Sequence, residues 1–301
     1  MYRVPLAIAA RKCGHHGDIA TVLVWFKHHV IAAHRGFAHD TNFESHTGFE
    51  LGPIRAASIA GGSRRQVTQR LFNRSQVAVV IPALDEQDSI ALVISEVPLP
   101  ARQIIVVDNG SGDSTALRAQ AAGARVVWEP RRGYGQACLT GIAAADDARI
   151  IAFVDADYSD YPSQLTELLA PLLSGAADLV IGSRQLGTRA RGAHPWHAVL
   201  GTRLSVALMN KLIGTHATDL GPFRAIRADA LRSLGMNDRN FGWTVEMQVK
   251  AARQGLRVLE QPVDYRPRIG RSKVSGTLSG SVLAGVKIVG MILRHARSTP
   301  S

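Results

Sequence analysis

The sequence predicts a doubly wound α/β domain, in which a parallel sheet is covered by helices on both faces. From residue 77 onwards, short apolar runs rich in β-branched residues alternate with segments compatible with helices. Apolar strands that alternate with helices in this way are typical of a parallel sheet buried on both faces. Ligands of such a sheet bind at the carboxyl ends of its strands. The functional residues are therefore expected directly after each strand.

The predicted elements follow one another in strict alternation. Each predicted strand is short and apolar and is closed by Pro, Asp or Gly, which are depleted in strands and frequent in turns. The strands are Val77–Ile81, Ile104–Val107, Val126–Trp128, Ile150–Val154 and Leu179–Ile181. The helices between them are Ser89–Val97, Ser114–Ala122, Gly135–Ala145 and Pro162–Leu173.

The composition is that of a globular protein, because 46% of the 301 residues are hydrophobic and 20% are charged. This balance excludes a disordered chain, a collagen-like fibre and a small disulfide scaffold. Cys13 and Cys138 stand far apart and form no C-x-x-C pair. Their spacing fits a reduced, cytosolic setting.

The formal charge of +11 has two sources. Residues 1–76 contain 10 basic and 4 acidic residues, a net charge of +6, and 7 of the 11 histidines; residues 77–301 contain 25 basic and 20 acidic residues, a net charge of +5. Because residues 1–76 also lack a sustained helical or strand period, we expect a poorly ordered, basic, His-rich extension there. The α/β domain is expected over 77–276, followed by an apolar helix and a basic tail over 277–301.

Polar motifs follow four of the five predicted strands. They are Pro82 to Glu86, Asp108 to Asp113, Asp155-Ala156-Asp157 and Gly182-Ser183-Arg184. Three of these strand ends present carboxylates to one crevice, which is costly unless a cation or hydrogen-bond donors compensate. Mg²⁺ takes one or two protein carboxylates and completes its shell with substrate phosphates and water. The i, i+2 spacing of Asp155 and Asp157 therefore predicts a metal–diphosphate site.

These motifs resemble those of the family 2 inverting glycosyltransferases of GT-A fold, and within them the dolichyl- and polyprenyl-phosphate sugar synthases, over about residues 77–294. The resemblance implies a doubly wound, mixed and mostly parallel sheet, with 77–276 as the catalytic domain. Leu84 and Asp85 replace the Tyr and Asn of the family's P-x-Y-N-E opening, and Asn109 replaces the second Asp of D-D-G-S. The implied nucleotide-sugar-binding residues are Pro82, Leu84, Glu86, Val107, Asp108, Asn109, Asp155, Ala156, Asp157, Arg184, Arg268 and Lys273.

The distal half carries three further motifs of the same resemblance. Asp219 to Arg224 is similar to the family's D-x-x-S-G-F-R segment, with altered middle residues. Phe241 to Met247 places Glu246 where the family carries an acidic residue after an aromatic stretch. Arg268 to Lys273 resembles the R-x-x-G-x-S-K loop, shortened by one residue between Arg and Gly. Arg203 lies before these motifs, on a predicted helix.

The resemblance implies transfer of a hexose from a nucleotide-diphosphate sugar, of the UDP-glucose or GDP-mannose type, to a polyprenyl or dolichyl phosphate. Asp155 and Asp157 would hold Mg²⁺ or Mn²⁺, with Asp157 the catalytic metal ligand. Arg184 and Arg203 would contact the acceptor phosphate, which is already ionised near neutral pH. A hydroxyl acceptor stays open as the alternative, and there Glu246 would have to act as the catalytic base.

The C-terminal stretch Thr277–Leu293 is apolar but short for a membrane span, and Lys287 falls inside it. A helix that lies on the membrane is favoured over one that packs against the domain, with Arg294 and Arg297 meeting anionic headgroups. The expected location is cytoplasmic, peripheral on the cytoplasmic face of the membrane.

Three other classes of protein fit the sequence less well. A dinucleotide-binding dehydrogenase would carry its glycine motif after the first strand, whereas Gly133-Tyr134-Gly135 follows the third. A nucleic-acid-binding protein is suggested only by the net charge, without clustered basic residues and interleaved aromatics, so no nucleic-acid partner is expected. A binding module without activity is disfavoured by the intact Asp155-Ala156-Asp157 motif.

Overall fold

The computed structural model describes residues 77–98, 103–193, 196–270, 285 and 288–294, and the predicted extension 1–76 lies outside them. Its strands are β1 (Val77–Ala83), β2 (Gln103–Asp108), β3 (Arg125–Trp128), β4 (Ile150–Phe153), β5 (Leu179–Ser183), β6 (Arg224–Arg227) and β7 (Val258–Pro262). Its helices are α1 (Ile90–Glu96), α2 (Thr115–Ala121), α3 (Tyr134–Ala143), α4 (Leu165–Leu173), α5 (Trp196–Ile213), α6 (Ala228–Leu234) and α7 (Trp243–Arg253). The five strands and four helices expected from the sequence are all confirmed.

The described strands form one sheet in the order β3-β2-β1-β4-β6-β5-β7. All pair in parallel except β6, which runs antiparallel to both β4 and β5. The mixed, mostly parallel GT-A sheet implied by the resemblance is therefore confirmed. The residue pattern alone predicted neither β6 nor β7.

The sheet is buried on both faces by two layers of helices. Val77, Val79 and Ile81 of β1 lie in one core with side chains of α1 and α4. Ala78 and Val80 lie in the other core, with side chains of α3, α6 and α7. Because successive strand residues point to opposite faces, a continuous apolar strand is what two helical layers require.

The described C-terminal residues pack against the domain. Residues 288–294 are helical, and Met291 and Ile292 are buried in a third core with side chains of α5 and α7 such as Met209 and Val249. For these side chains the expected preference for the membrane surface is wrong, while residues 277–284 lie outside the described part. Among the described residues, every helix is too short or too polar to cross a bilayer.

The sheet brings the ends of β1, β2, β4 and β5 to one edge. Ala83 pairs with Asp108 in the register of β1 and β2, and Asn109 N donates to Ala83 O at 2.9 Å. Val154, directly after β4, donates its N–H to Val80 O at 3.2 Å. The polar motifs that follow these strands are thereby fixed beside one another.

Gly141 sets how closely α3 approaches β1. A Cβ at this position would lie 2.3 Å from Val80 Cγ1, whereas one at Gly201 on α5 would meet nothing within 4 Å. We expect Gly141→Ala to lower the free energy of unfolding by about 1–3 kcal/mol through overpacking. The matched Gly201→Ala should raise it by about 0.5–1 kcal/mol, because alanine favours the helix. Urea unfolding of both variants tests this, and equal effects would contradict the close approach.

Candidate active site

The turns after β1 and β2 are joined by reciprocal hydrogen bonds. Gly112 N donates to Asp85 Oδ1 at 2.7 Å, and Asp85 N donates to Ser111 Oγ at 3.0 Å. Glu86 N donates to Thr115 Oγ1 at 2.8 Å. Asp85 has a φ of 50°, a left-handed conformation that Asn and Asp tolerate better than other side chains. Asp85 therefore shapes the turn, a role that also suits the Asn found in the family's motif.

Three of the predicted donor-site residues meet in the crevice. Arg268 Nη2 lies 3.4 Å from Glu86 Oε1 and 3.0 Å from Asp157 Oδ2. Glu86 and Asp157 are buried, and the Arg268 side chain is 30% exposed. One guanidinium thus bridges two carboxylates that are far apart in the sequence. The shortened R-x-x-G-x-S-K spacing does not keep Arg268 out of the crevice.

Asp155 and Asp157 lie in the same crevice and carry like charge. Tyr134 donates its hydroxyl to Asp155 Oδ1 at 3.0 Å, while Ser159 donates its N–H and Oγ–H to Asp157 Oδ1 at 2.9 and 2.5 Å. Burial and the neighbouring Asp157 carboxylate raise the pKa of Asp155 to about 7. A cation between the two groups would relieve this repulsion.

This pair of carboxylates fits a divalent metal that is shared with a substrate. In the described part of the chain, no group of three or more His, Cys, Asp or Glu side chains converges as a metal cage. Mg²⁺ binds through one or two carboxylates and completes its shell with phosphate oxygens and water. The donor set of Asp155 and Asp157 matches this mode of binding.

Asp108 and Asn109, two of the predicted nucleotide-sugar-binding residues, have different surroundings. Asp108 Oδ1 accepts the N–H of Ser111 at 2.9 Å. Asn109 Nδ2 donates to Glu129 O and Arg131 O at 3.0 and 2.8 Å, and its Oδ1 accepts Gly133 N–H at 2.8 Å. The amide of Asn109 therefore holds the loop after β3, so its replacement of the family's Asp serves that loop.

The remaining predicted residues around the nucleotide differ in exposure. Pro82 and Leu84 are partly exposed, and they lie at the carboxyl end of β1 and in the turn that follows. The Val107 and Ala156 side chains are buried in the two cores. Those two residues therefore offer the crevice their backbone and not their side chains.

Arg184 is held in a buried ion pair with Asp219. Its Nε and Nη2 donate to Asp219 Oδ2 and Oδ1, both at 2.8 Å, and its backbone N–H donates to Oδ2 at 2.9 Å. Burial raises the pKa of Asp219, but Arg184 outweighs it and holds that pKa below its usual value. The Tyr265 ring lies 5.2 Å from Arg184 Cζ. The guanidinium is thus a fixed charge beneath the crevice.

Glu246, the predicted base, is enclosed in the fold. Its carboxylate accepts the N–H groups of Asn237 and Asp238 at 2.9 and 2.7 Å, and Lys250 Nζ lies 2.7 Å from Oε1. The Glu246 side chain is 3% exposed. It caps the backbone ahead of α7 instead of facing the crevice.

The segment that Glu246 holds supports the Tyr134 loop. A Cβ at Gly135 would lie 2.1 Å from Asp238 O, and one at Gly133 would lie 2.2 Å from Arg239 O. Only glycine allows this contact between the two backbones. Glu246 is therefore linked through two loops to the tyrosine that holds Asp155.

One predicted residue makes none of these contacts, and another lies outside the described residues. Arg203 is exposed on α5, and among the described residues it forms no ion pair. Lys273 lies outside the described residues. Their roles toward phosphate stay predictions.

Sequence reasoning missed Tyr134, Asp160, Glu96 and Arg266. Tyr134 lies in the motif Gly133-Tyr134-Gly135, whose glycines resemble only a dinucleotide fingerprint. Asp160 is buried three residues after Asp157, and burial raises its pKa well above the usual range. The three-residue spacing between Asp157 and Asp160 is the feature of the sequence that could have indicated this residue. Nothing in the sequence linked Glu96 to Arg266, which are 170 residues apart and lie in contact.

Comparisons with known proteins agree with this geometry. The family model described as glycosyl transferase family 2 matches residues 78–235. An uncharacterized glycosyltransferase of Mycobacterium tuberculosis is 44% identical over 213 residues, covering 69% of this chain and 94% of that protein. The undecaprenyl-phosphate mannosyltransferase of Micrococcus luteus is 29% identical over 244 residues, covering 73% of this chain and 96% of that protein.

A solved structure shares the fold. It is glucosyl-3-phosphoglycerate synthase from Mycobacterium tuberculosis in complex with Mn²⁺, uridine diphosphate and phosphoglyceric acid. The TM-score is 0.63 at 25% identity, covering 78% of this chain and 84% of that chain.

The loop held by Asn109 also contains a carboxylate whose ionisation stabilises the fold. Hydrogen bonds from Arg131 and Thr140 lower the pKa of buried Glu129 from 4.5 to about 2. This stabilisation is complete above about pH 4.5 and is lost as the pH falls through about 2. Glu129→Gln should therefore lower stability at pH 7 and flatten the loss between pH 4.5 and 2. Urea midpoints across this range test it, and parallel curves for both proteins would refute it.

Proposed function

The chain belongs to glycosyl transferase family 2, and on this premise we propose that it transfers a hexose, with inversion, from a nucleotide-diphosphate sugar to a polyprenyl or dolichyl phosphate. The donor is of the UDP-glucose or GDP-mannose type. The undecaprenyl-phosphate mannosyltransferase among its relatives supports a lipid phosphate acceptor. The solved relative with uridine diphosphate and Mn²⁺ supports a nucleotide-sugar donor and a divalent metal.

The donor half of the proposal rests on the carboxyl edge of the sheet. Asp155 and Asp157 would hold Mg²⁺ or Mn²⁺, which supplies Lewis-acid stabilisation of the leaving diphosphate. Arg268, beside Asp157, adds a positive charge where the nucleoside diphosphate leaves. Asp108 and Glu86, at the ends of neighbouring strands, would contact the nucleotide. Lys273 would add a second cation, and this role carries over from the resemblance alone.

The proposal of a phosphate acceptor rests on the observation that Glu246 is enclosed in the fold. A hydroxyl nucleophile needs a base that takes its proton, within hydrogen-bond reach. Both Glu246 oxygens are instead held by backbone N–H groups and Lys250. A phosphate monoester brings its own negative oxygen, because its second pKa is about 6. The site is therefore better suited to an acceptor that is already ionised.

The acceptor phosphate would meet the crevice between β5 and α5. Arg184, fixed by Asp219, provides a charge that need not reorganise during the reaction. Arg203 is exposed on α5 and free to reach an acceptor that approaches from solvent. A lipid acceptor would bring the protein to the cytoplasmic face of the membrane as a peripheral enzyme, and the exposed Arg294 would meet anionic headgroups.

A phosphoglycerate acceptor is the second candidate, because the solved relative was obtained with phosphoglyceric acid. A panel of UDP-glucose and GDP-mannose, each with undecaprenyl phosphate or 3-phosphoglycerate and with Mn²⁺ or Mg²⁺, separates the two. We expect a lipid-linked sugar from one donor, and none in matched assays with EDTA. A glycosylated phosphoglycerate, or donor hydrolysis alone, would contradict the lipid phosphate proposal.

The pH dependence of transfer provides a separate test. We expect kcat/KM for the lipid phosphate to rise about tenfold from pH 5 to pH 7, as the acceptor loses its second proton. Glu246→Gln should keep this profile, with activity lowered only as far as the fold is weakened. Lys250→Met breaks the same ion pair and leaves the carboxylate in place, so both variants should behave alike. A folded Glu246→Gln protein that alone loses nearly all activity would identify Glu246 as the base.

A further inference from the structure

The turn that carries Asp157 has a backbone conformation that its own sequence disfavours. Tyr158, directly after Asp157, has a φ of 65°, and a bulky residue in this left-handed region is an outlier. Such residues persist only where surrounding contacts hold them, and they cluster at functional sites. The contacts of Tyr158 therefore determine how the turn presents Asp157.

Arg266 makes several of those contacts. Its Cζ lies 3.3 Å from the ring centroid of Tyr158 and 4.2 Å from that of Tyr161. Its Nε donates to Tyr158 O at 2.6 Å, and its backbone N–H donates to Ser159 O at 3.0 Å. A planar guanidinium is suited to this combination of stacking and hydrogen bonding. Arg266 thereby holds both the ring and the backbone of the residue that follows Asp157.

Glu96, the last residue of α1, completes the contact. Its Oε1 and Oε2 accept Nη1 and Nη2 of Arg266 at 3.3 and 3.0 Å, and Oε1 also accepts the Tyr158 hydroxyl. The Arg266 and Glu96 side chains are 15% and 27% exposed, so solvent screens the pair only in part. Burial raises the pKa of Glu96, but the hydrogen bonds from Arg266 and Tyr158 outweigh it and lower that pKa.

We propose that Glu96, Arg266 and Tyr158 form a positioning clamp that fixes Asp157 and Arg268 relative to each other. Tyr158 adjoins Asp157 in the chain, and Arg266 lies two residues before Arg268. Ile269 N also donates to Asp157 O at 2.9 Å, so the two segments are joined on both sides of Arg268. The clamp rests on the proposed function, because it acts through two residues assigned to the donor diphosphate and its metal.

Three variants alter the clamp and leave Asp157 and Arg268 in place. Glu96→Gln removes the charge, Arg266→Lys removes the planar fork, and Tyr158→Phe removes only the hydroxyl. We expect Glu96→Gln and Arg266→Lys to weaken binding of Mn²⁺ with UDP about tenfold or more, in line with other residues that orient metal ligands. Tyr158→Phe should weaken it less, because the ring that stacks on Arg266 remains. Calorimetry and the electron paramagnetic resonance of Mn²⁺ measure this without turnover.

Arg257→Lys is the matched control for a loss of stability alone. Arg257 Nε and Nη2 donate to Asp178 at 3.0 and 2.7 Å, next to the amino ends of β5 and β7. This pair is also a bidentate ion pair between distant segments, but it lies at the edge of the sheet opposite the crevice. The control should lower the thermal midpoint and leave binding of Mn²⁺ and UDP unchanged.

Tyr158→Asn distinguishes the effect of the clamp from the effect of the left-handed backbone conformation at position 158. Asparagine tolerates the left-handed region better than tyrosine does, yet it removes both the stacked ring and the hydroxyl. Weaker binding of Mn²⁺ and UDP in this variant is expected from the clamp.

The outcomes distinguish the clamp from the function on which it rests. Binding of Mn²⁺ and UDP equal to wild type in folded Glu96→Gln and Arg266→Lys would overturn the clamp. A loss of binding that follows the thermal midpoint, and that Arg257→Lys reproduces, would overturn it as well. A wild-type protein that binds Mn²⁺ with neither UDP nor GDP would instead contradict the proposed function.

Discussion

Like-charged carboxylates at the carboxyl edge of one sheet are the constraint that shapes the crevice. Asp155, Asp157 and Asp160 lie within the seven residues that follow β4, and burial raises the pKa of Asp155 and of Asp160. Several negative charges with little water around them need compensation. Arg268 supplies it at Asp157, and a divalent cation would supply it between Asp157 and Asp155. The cations that would serve the proposed reaction are therefore the same ones that compensate the buried carboxylates at this edge.

The arginines around this edge divide into two kinds according to their partners. Arg184 and Arg266 each face a carboxylate through two parallel hydrogen bonds, with Asp219 and Glu96 respectively. A pair of this kind is rigid, and breaking it by removing one buried partner is costly. Arg268 instead contacts its carboxylates through a single nitrogen at 3.0 and 3.4 Å. It is the arginine best able to turn toward a phosphate.

The strands and the strand-end motifs were predictable because both depend on local sequence. Apolar runs specify buried parallel strands, and the topology of such a sheet then places Glu86 and Asp157 at one edge. The partners of these residues were not predictable, since Asp219 lies 35 residues from Arg184 and Glu96 lies 170 from Arg266. The antiparallel strand β6 was missed for a related reason. Its four residues begin and end with arginine, and only pairing with β4 and β5 makes them a strand.

Glu246 shows why a residue type at a motif position does not fix its role. Its carboxylate satisfies two backbone N–H groups ahead of α7, and that backbone supports the glycines on either side of Tyr134. Tyr134 in turn donates to Asp155, so the effect of Glu246 on the crevice passes through Asp155. A base must lie within hydrogen-bond reach of the proton that it takes, and the Glu246 side chain is only 3% exposed and is held by these donors. The contacts that suit Glu246 to positioning thus support the proposed acceptor, a phosphate that is already ionised, over a hydroxyl that would need Glu246 as its base.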